Sequence, residues 1–346
     1  MKKIIDKLYK ENNLTDKELM TLLEEPALPY LFKKADEMRR KFYGNSVYIR
    51  GLIEISNHCK NNCYYCGIRA ENKNVCRYRL SSEEILSCCL EGYSLGFRTF
   101  VMQGGEDVFF SDDEICPLIS EIKKRFPDCA ITLSLGERSF ESYKKMYDAG
   151  ADRYLLRHES ANEELYTSLH PKNMSLTNRK ECLFNLKKIG YQTGSGFMVG
   201  APGQTLENII EDIRFLQELN PHMIGIGPFI SHKDTPFKDS KNGELELTLK
   251  LLSILRLLFP AVLLPATTAL GTLSKGGREQ GIMAGANVIM PNLSPYSVRK
   301  LYSLYDNKLS SGPESAQALE ELKNNMKAIG YEIKITRGDY TDTLIK

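Results

Sequence analysis

Along this chain a helical stretch repeatedly ends in glycine, and an apolar run begins one or two residues later. The pattern occurs in SLGFRTFVMQGG (94–105), DAGADRYLLRHE (148–159), KIGYQTGSGFMVG (188–200) and MAGANVIMPN (283–292). A glycine just past a helix supplies a left-handed cap, and the short turn after it feeds a strand. The apolar runs are continuous rather than alternating, which predicts strands buried on both faces, as in a parallel sheet. Between them, SSEEILSCCLEGYSLG, SFESYKKMYDAG, TNRKECLFNLKKIG and TLENIIEDIRFLQEL have helical periodicity. Thr15 with Glu18 and Ser81 with Glu84 have capping-box spacing, so helices are expected to start there.

Read in order, eight strands are expected, near 48–56, 98–103, 130–135, 153–158, 194–199, 223–229, 262–268 and 286–290. Strict β/α alternation predicts an α/β chain with a parallel sheet, and eight units predict a complete (β/α)8 TIM-type barrel. An open doubly wound sheet has the same alternation and is the alternative. The expected division is an N-terminal helical extension (1–44), the barrel (45–305) and a C-terminal helical extension (306–346) whose helix covers 314–330.

Composition narrows the partners. The 346 residues suit one barrel, and 46 basic against 44 acidic residues leave a net charge of +2, without the basic excess of a nucleic-acid binder. The first residues hold no apolar core of signal-peptide length, and no window is apolar enough to span a membrane. The expectation is a cytoplasmic protein with no membrane partner. Its nine cysteines are then thiols or metal ligands rather than disulfides.

In a barrel the chemistry sits at the carboxyl ends of the strands. Those ends carry QGGED (103–107), SLGE (134–137), RHE (157–159), GFMVGAPG (196–203), GPFISH (227–232), PATTA (265–269) and MPN (290–292). The first strand runs into HCKNNCYYCG (58–67), where Cys59, Cys63 and Cys66 have C-x3-C-x2-C spacing. Soft thiolates favour zinc or an iron–sulfur cluster. Zinc would want a fourth ligand, often from a second close pair, and there is no second C-x2-C. Three ligands on a [4Fe–4S] cluster leave one iron free for a small chelating molecule. Three thiols without metal would be unusual in a loop so rich in Lys and Asn.

This spacing, with an aromatic before the last cysteine, resembles the radical S-adenosylmethionine (SAM) superfamily, in which SAM itself is the fourth ligand. RGLIEISNHCKNNCYYCGIRAENKN, YLLRHESAN, GYQTGSGFMVGAPGQT, GIGPFISHKDTPF, PATTALGT and GGREQGIMAGANVIMPN further resemble the HydE family of [FeFe]-hydrogenase maturases, over roughly residues 45–305. The resemblance implies the barrel fold and one [4Fe–4S] cluster held by Cys59, Cys63 and Cys66. It also implies a SAM site built from Tyr65 near the adenine, Gly104 and Gly105 by the methionine amino group, Ser134, Glu159 for the ribose and Arg179 for the methionine carboxylate. The two glycines alone would equally serve a tight turn, and Arg179 alone would be read as a solvated surface charge.

Arg157, Thr267 and Thr268 suit an anionic, carboxylate-bearing substrate, with Gln103, Thr132 and Met223 lining the same cavity. One of the two threonines is instead expected to pack, because successive strand residues face opposite ways. Cys88, Cys89, Cys116, Cys129 and Cys182 read as small apolar side chains, and Cys76 has no assigned role. Some family members carry three further cysteines near the C-terminus for a second cluster. Here no cysteine follows Cys182, so a single cluster is expected.

The reaction implied by the resemblance is reductive cleavage of SAM to methionine and a 5′-deoxyadenosyl radical. It would serve the path to the dithiomethylamine bridge of the H-cluster. The implied substrate is a small anionic molecule, a cysteine-bound iron carbonyl cyanide unit. The implied partners are the other maturases and an electron donor. Two alternatives stand beside this reading. One is a radical SAM mutase like methylornithine synthase, for which acidic residues such as Glu137 would receive a lysine amine. The other is a non-enzymatic iron–sulfur or zinc protein.

Overall fold

In the computed structural model, which describes residues 1–26 and 29–344, the glycine-capped pattern becomes backbone geometry. Gly96, Gly150, Gly190 and Gly285 all have left-handed φ, at 99°, 116°, 113° and 111°. A side chain there would be strained, so the four turns from helix to strand depend on glycine. Both predicted capping boxes form, opening helices Asp16–Glu24 and Ser82–Ser94.

Among the described residues three helices, Lys2–Glu11, Asp16–Glu24 and Pro29–Tyr43, precede the sheet. Eleven strands follow among the same residues: β1 (Ser46–Ile49), β2 (Gly51–Ser56), β3 (Thr99–Gly104), β4 (Ala130–Ser134), β5 (Arg153–Leu155), β6 (Gln192–Ser195), β7 (Met198–Val199), β8 (Met223–Ile224), β9 (Gly227–Pro228), β10 (Val288–Ile289) and β11 (Glu332–Lys334). Helices alternate with them, including Asp112–Arg125, Phe140–Asp148, Leu176–Ile189, Leu206–Leu219 and Leu245–Leu258. Six strands form one parallel sheet in the order β2-β3-β4-β5-β6-β8, and β7 pairs with β9. β2 is buried at every position, as its continuous apolar run predicts. Beyond β8 the pairing continues through single parallel bridges, Met223 to Leu263 and Pro265 to Val288. β10 pairs with β1, and Leu52 in β2 bridges Asn292.

Three expectations change. The strand predicted over 262–268 is reduced to the bridges at Leu263 and Pro265, and Thr267 instead precedes a short helix, Thr268–Leu273, without a side-chain cap bond. Pro265 has no N–H to give a ladder. The helix predicted over 314–330 is shorter, Leu319–Ala328, after two 3-10 turns. The chain after it, expected to continue a helical extension, instead forms β11, parallel to β1 with Ser46 opposite Glu332. The segment beyond β11 crosses the amino ends of the strands. There Arg153 of β5 donates to Asp339 at 2.6 Å, and Thr99 of β3 donates to the Arg337 carbonyl at 2.7 Å.

Candidate active site

The cysteine loop leaves β2 at Ser56, and the protein fixes it from several sides. The Ser56 hydroxyl donates to Asp107 at 2.6 Å, and Arg79 grips the same carboxylate through two bonds of 2.7 and 3.0 Å. Within the loop, Lys60 N–H donates to the Glu106 carbonyl, Tyr64 N–H to that of Leu169, and Gly67 N–H to that of Leu304. Arg77 gathers the carbonyls of Asn57, Ile68 and Arg69 around its guanidinium. A loop whose backbone groups are satisfied this way is shaped before any ligand arrives.

Cys59, Cys63 and Cys66 are free thiols, each partly buried. Burial pushes the Cys66 thiol up to about 12 and raises Cys59 and Cys63 above the usual range. Three such thiols on one loop ionise readily only beside a strong positive centre, which is what a metal supplies. Among the described residues no three His, Cys, Asp or Glu side chains converge on a single ion, whereas the cysteines of a cluster each take a different iron. The donor set fits an iron–sulfur cluster better than zinc. Gly105 serves this loop directly, since a Cβ there would lie 2.2 Å from the His58 carbonyl oxygen and 2.7 Å from the Cys59 Cβ. Gly104 is less confined, with the Ser56 carbonyl 3.3 Å from such an atom.

Behind the loop lies a cavity of about 230 Å³. Its lining includes Tyr65 and Cys66 together with Gln103, Arg157, Glu159, Thr267 and Thr268. The Tyr65 hydroxyl is 3.2 Å from His170 Nε2, and the His170 ring meets the Tyr65 ring edge-on at 5.4 Å. Ser134 ends β4, in register with Gln103, outside the cavity lining. Arg157 Nη2 and Glu159 Oε2 are 2.9 Å apart without hydrogen-bond alignment. Buried polar atoms normally have partners, so this pair retains capacity for a polar ligand. Glu159 has φ 65°, a left-handed backbone that costs a non-glycine residue about 1–3 kcal/mol and that clusters at functional sites.

Arg179 is buried and is not the surface charge its position in the sequence suggests. Its Nε lies 2.6 Å from Glu137 Oε1, its Nη2 3.8 Å from Glu106, and its Nη1 donates to the Arg157 carbonyl at 3.3 Å. Burial by itself lowers its pKa, but the attraction of Glu137, Tyr166 and Glu106 outweighs that and raises it, so the guanidinium stays charged. Glu137 is thereby engaged by an arginine.

The two threonines separate. Thr267 Oγ1 is buried without a partner, whereas Thr268 Oγ1 donates to Glu314 at 2.9 Å, beside the Glu314–Arg278 ion pair. Thr132 and Met223 do not line the main cavity. They line a narrower space that shares Leu155, Gly225, Pro265 and Met290 with it. There Arg50 Nη1 lies 3.0 Å from the Met223 sulfur, while Arg50 Nη2 and Thr132 Oγ1 are buried and unpaired.

Several residues escaped the sequence reading. Glu54, fully buried on β2, lines the cavity, accepts from Asn292 at 2.8 Å and pairs with Lys308. The signal was present, since a lone carboxylate in the apolar run GLIEIS needs a reason to be there. Lys308, Leu304 and Tyr305 come from a segment that no pattern ties to the strand ends.

Residues 53–216 match the radical SAM superfamily. The chain is 47% identical over 310 residues to the [FeFe] hydrogenase maturase subunit HydE of Thermotoga maritima, covering 89% of this chain and 88% of that protein. It is 28% identical to 3-methylornithine synthase of Methanosarcina acetivorans, covering 94% and 92%. Among solved structures it matches methylornithine synthase (PylB) with TM-score 0.84 at 27% identity, covering 96% and 97% of the two chains. It shares its fold with the [FeFe]-hydrogenase maturase HydG at TM-score 0.81 and 21% identity, covering 96% of this chain and 75% of that one. With identity this high over nine-tenths of its length, the chain belongs to the family of the [FeFe] hydrogenase maturase subunit HydE, within the radical SAM superfamily.

Proposed function

We propose that this protein cleaves SAM reductively on a single [4Fe–4S] cluster and acts in assembly of the [FeFe]-hydrogenase H-cluster, on the path to its dithiomethylamine bridge. The observation that carries the reading is one continuous cavity that touches both Cys66 with Tyr65 and Arg157 with Thr267. A single cavity would hold cofactor and substrate side by side. The same reading takes the parallel pairings from β2 through β8, Leu263, Pro265 and β10 to β1 as a closed (β/α)8 barrel. It keeps residues 1–44 and 306–346 as extensions of that barrel.

Cys59, Cys63 and Cys66 would hold the cluster. When bound, the cluster and SAM supply a one-electron cleavage that releases methionine and a 5′-deoxyadenosyl radical. Glu159 would accept from the ribose hydroxyls, Arg179 would pair with the methionine carboxylate, and Tyr65 would pack near the adenine, with Gly104, Gly105 and Ser134 around the methionine end. Arg157, Thr267 and Gln103 would orient a small anionic substrate, and Thr132 would reach a part of it that enters the narrower space. A cysteine-bound iron carbonyl cyanide unit meets that description. Other maturases would supply and receive it, and an electron donor would reduce the cluster. A mutase acting on lysine is disfavoured because Glu54 and Glu137 each already face a cationic side chain.

Among the described residues no helix is long and apolar enough to cross a membrane, and all nine cysteines are free, in keeping with a cytoplasmic enzyme. The test is anaerobic incubation of the reconstituted protein with SAM and a low-potential reductant. The reading requires 5′-deoxyadenosine or an adenosyl adduct in the wild type and neither after Cys59→Ala, Cys63→Ala and Cys66→Ala. Formation of either by the triple variant would defeat it.

A further inference from the structure

Glu159 sits at a strained position, and the structure shows what keeps it there. Its neighbour His158 is fully buried, with Nδ1 2.9 Å from the Ser195 hydroxyl and Nε2 3.2 Å from Asp212 Oδ1. Asp212, equally buried, lies on the helix Leu206–Leu219 outside the sheet. The same Oδ1 accepts the Ala161 N–H at 2.5 Å. One carboxylate therefore ties down the residue before Glu159 and the residue two after it. Phe215, on the same helix, closes against the His158 ring with centroids 4.9 Å apart. Glu159's own backbone is held by strand-like bonds to Gly196 and Met198.

His158, Asp212, Ser195 and Phe215 do not line the cavity, and no step of the proposed chemistry uses them. Yet a buried carboxylate and a buried histidine are costly unless they serve each other or something else. The element they clamp is the one that turns Glu159 into the cavity with a left-handed backbone.

We propose that Asp212, acting through His158 and the Ala161 amide, is a positioning residue for the Glu159 carboxylate. The pair locks the 158–161 turn so that Glu159 meets the cofactor's ribose already oriented. Ser195 completes the clamp from the neighbouring strand. This rests on the reading of Glu159 as a SAM contact, and the experiment separates the two.

SAM dissociation constants are measured on reconstituted protein from the spectral change at the cluster. The variants are Asp212→Ala, Glu159→Gln and the double substitution, with iron content and Tm followed alongside. Misplacing a contact group by an ångström or so costs roughly tenfold to a hundredfold. Asp212→Ala is expected to weaken SAM by that factor while keeping its iron, and to add nothing further in the Glu159→Gln background. In cluster-free protein it should also speed amide exchange at residues 159–161. Should Asp212→Ala fold poorly, Asp212→Asn keeps an acceptor for Ala161 and is expected to show a smaller loss with the same non-additivity. Unchanged SAM affinity in the Asp212 variants, or an equal loss with and without Glu159→Gln, overturns the proposal. A Glu159→Gln variant that binds SAM like wild type overturns instead the assignment of Glu159.

Discussion

Thr267 and Thr268 are adjacent in sequence but do different work. Thr267 presents an unpaired hydroxyl among the residues lining the cavity, while Thr268 is bonded to Glu314. Thr267→Val is therefore expected to lower turnover about tenfold or more with little change in Tm, as loss of one bond to a charged group costs about 1.5–3 kcal/mol. Thr268→Val should lower stability by about 1 kcal/mol through the Glu314 contact. Thermal melts beside product assays check both, and a reversed pattern would show that the cavity faces the other threonine. Arg157→Met keeps the length of the side chain and removes its charge. It should leave iron and SAM binding in place and abolish productive turnover. Loss of SAM binding instead would assign Arg157 to the cofactor. Gly105→Ala puts a methyl group against His58 and Cys59, and should cut iron incorporation on reconstitution by displacing the loop. Full wild-type iron content in that variant would contradict the packing argument.

At the scale of elements, the four glycine-capped turns and the two capping boxes were legible, because each rests on chemistry within a few residues. Seven of the eight expected strand positions were legible as apolar runs. The strand over 262–268 was misread because Pro265 and the helix from Thr268 break a run that looks apolar enough. The motif cysteines announced themselves by spacing. The burial of Arg179 did not, since a helix face reveals its neighbours only once it is packed. β11 was illegible for a related reason, as EIK is exposed at Glu332 and Lys334 and gains its meaning only from pairing with β1. The tail after β11 depends on charge. Burial raises the Asp339 carboxyl, but Arg337 and Arg153 outweigh that and hold it below its ordinary 3.8. A depressed carboxyl contributes stability above its unfolded pKa and loses it as pH falls through the folded one. The difference in Tm between wild type and Asp339→Asn should thus be steady near neutrality and close as pH drops below 3.8. A difference that persists at the lowest pH at which the protein is folded would deny the ion pairs their role.

Over the whole molecule, the strand ends, the cysteine loop and the segment carrying Leu304, Tyr305 and Lys308 together line the cavity. No thiol after Cys182 can hold another cluster. Reconstituted protein is accordingly expected to bind about four irons per chain, the content of one cluster, with a single spectral population that responds to SAM. A second population that ignores SAM and survives in the triple cysteine variant would refute this. Family membership points to one activity, and one measurement addresses it most directly. In a defined anaerobic mixture holding apo-[FeFe]-hydrogenase, the other maturases, SAM and reductant, hydrogen evolution is followed with and without this protein. The account predicts activity only when the wild-type chain is present, and none with the Cys59/Cys63/Cys66 triple alanine variant. A wild-type chain that cleaves SAM yet yields no active hydrogenase, or a triple variant that restores it, would contradict the account.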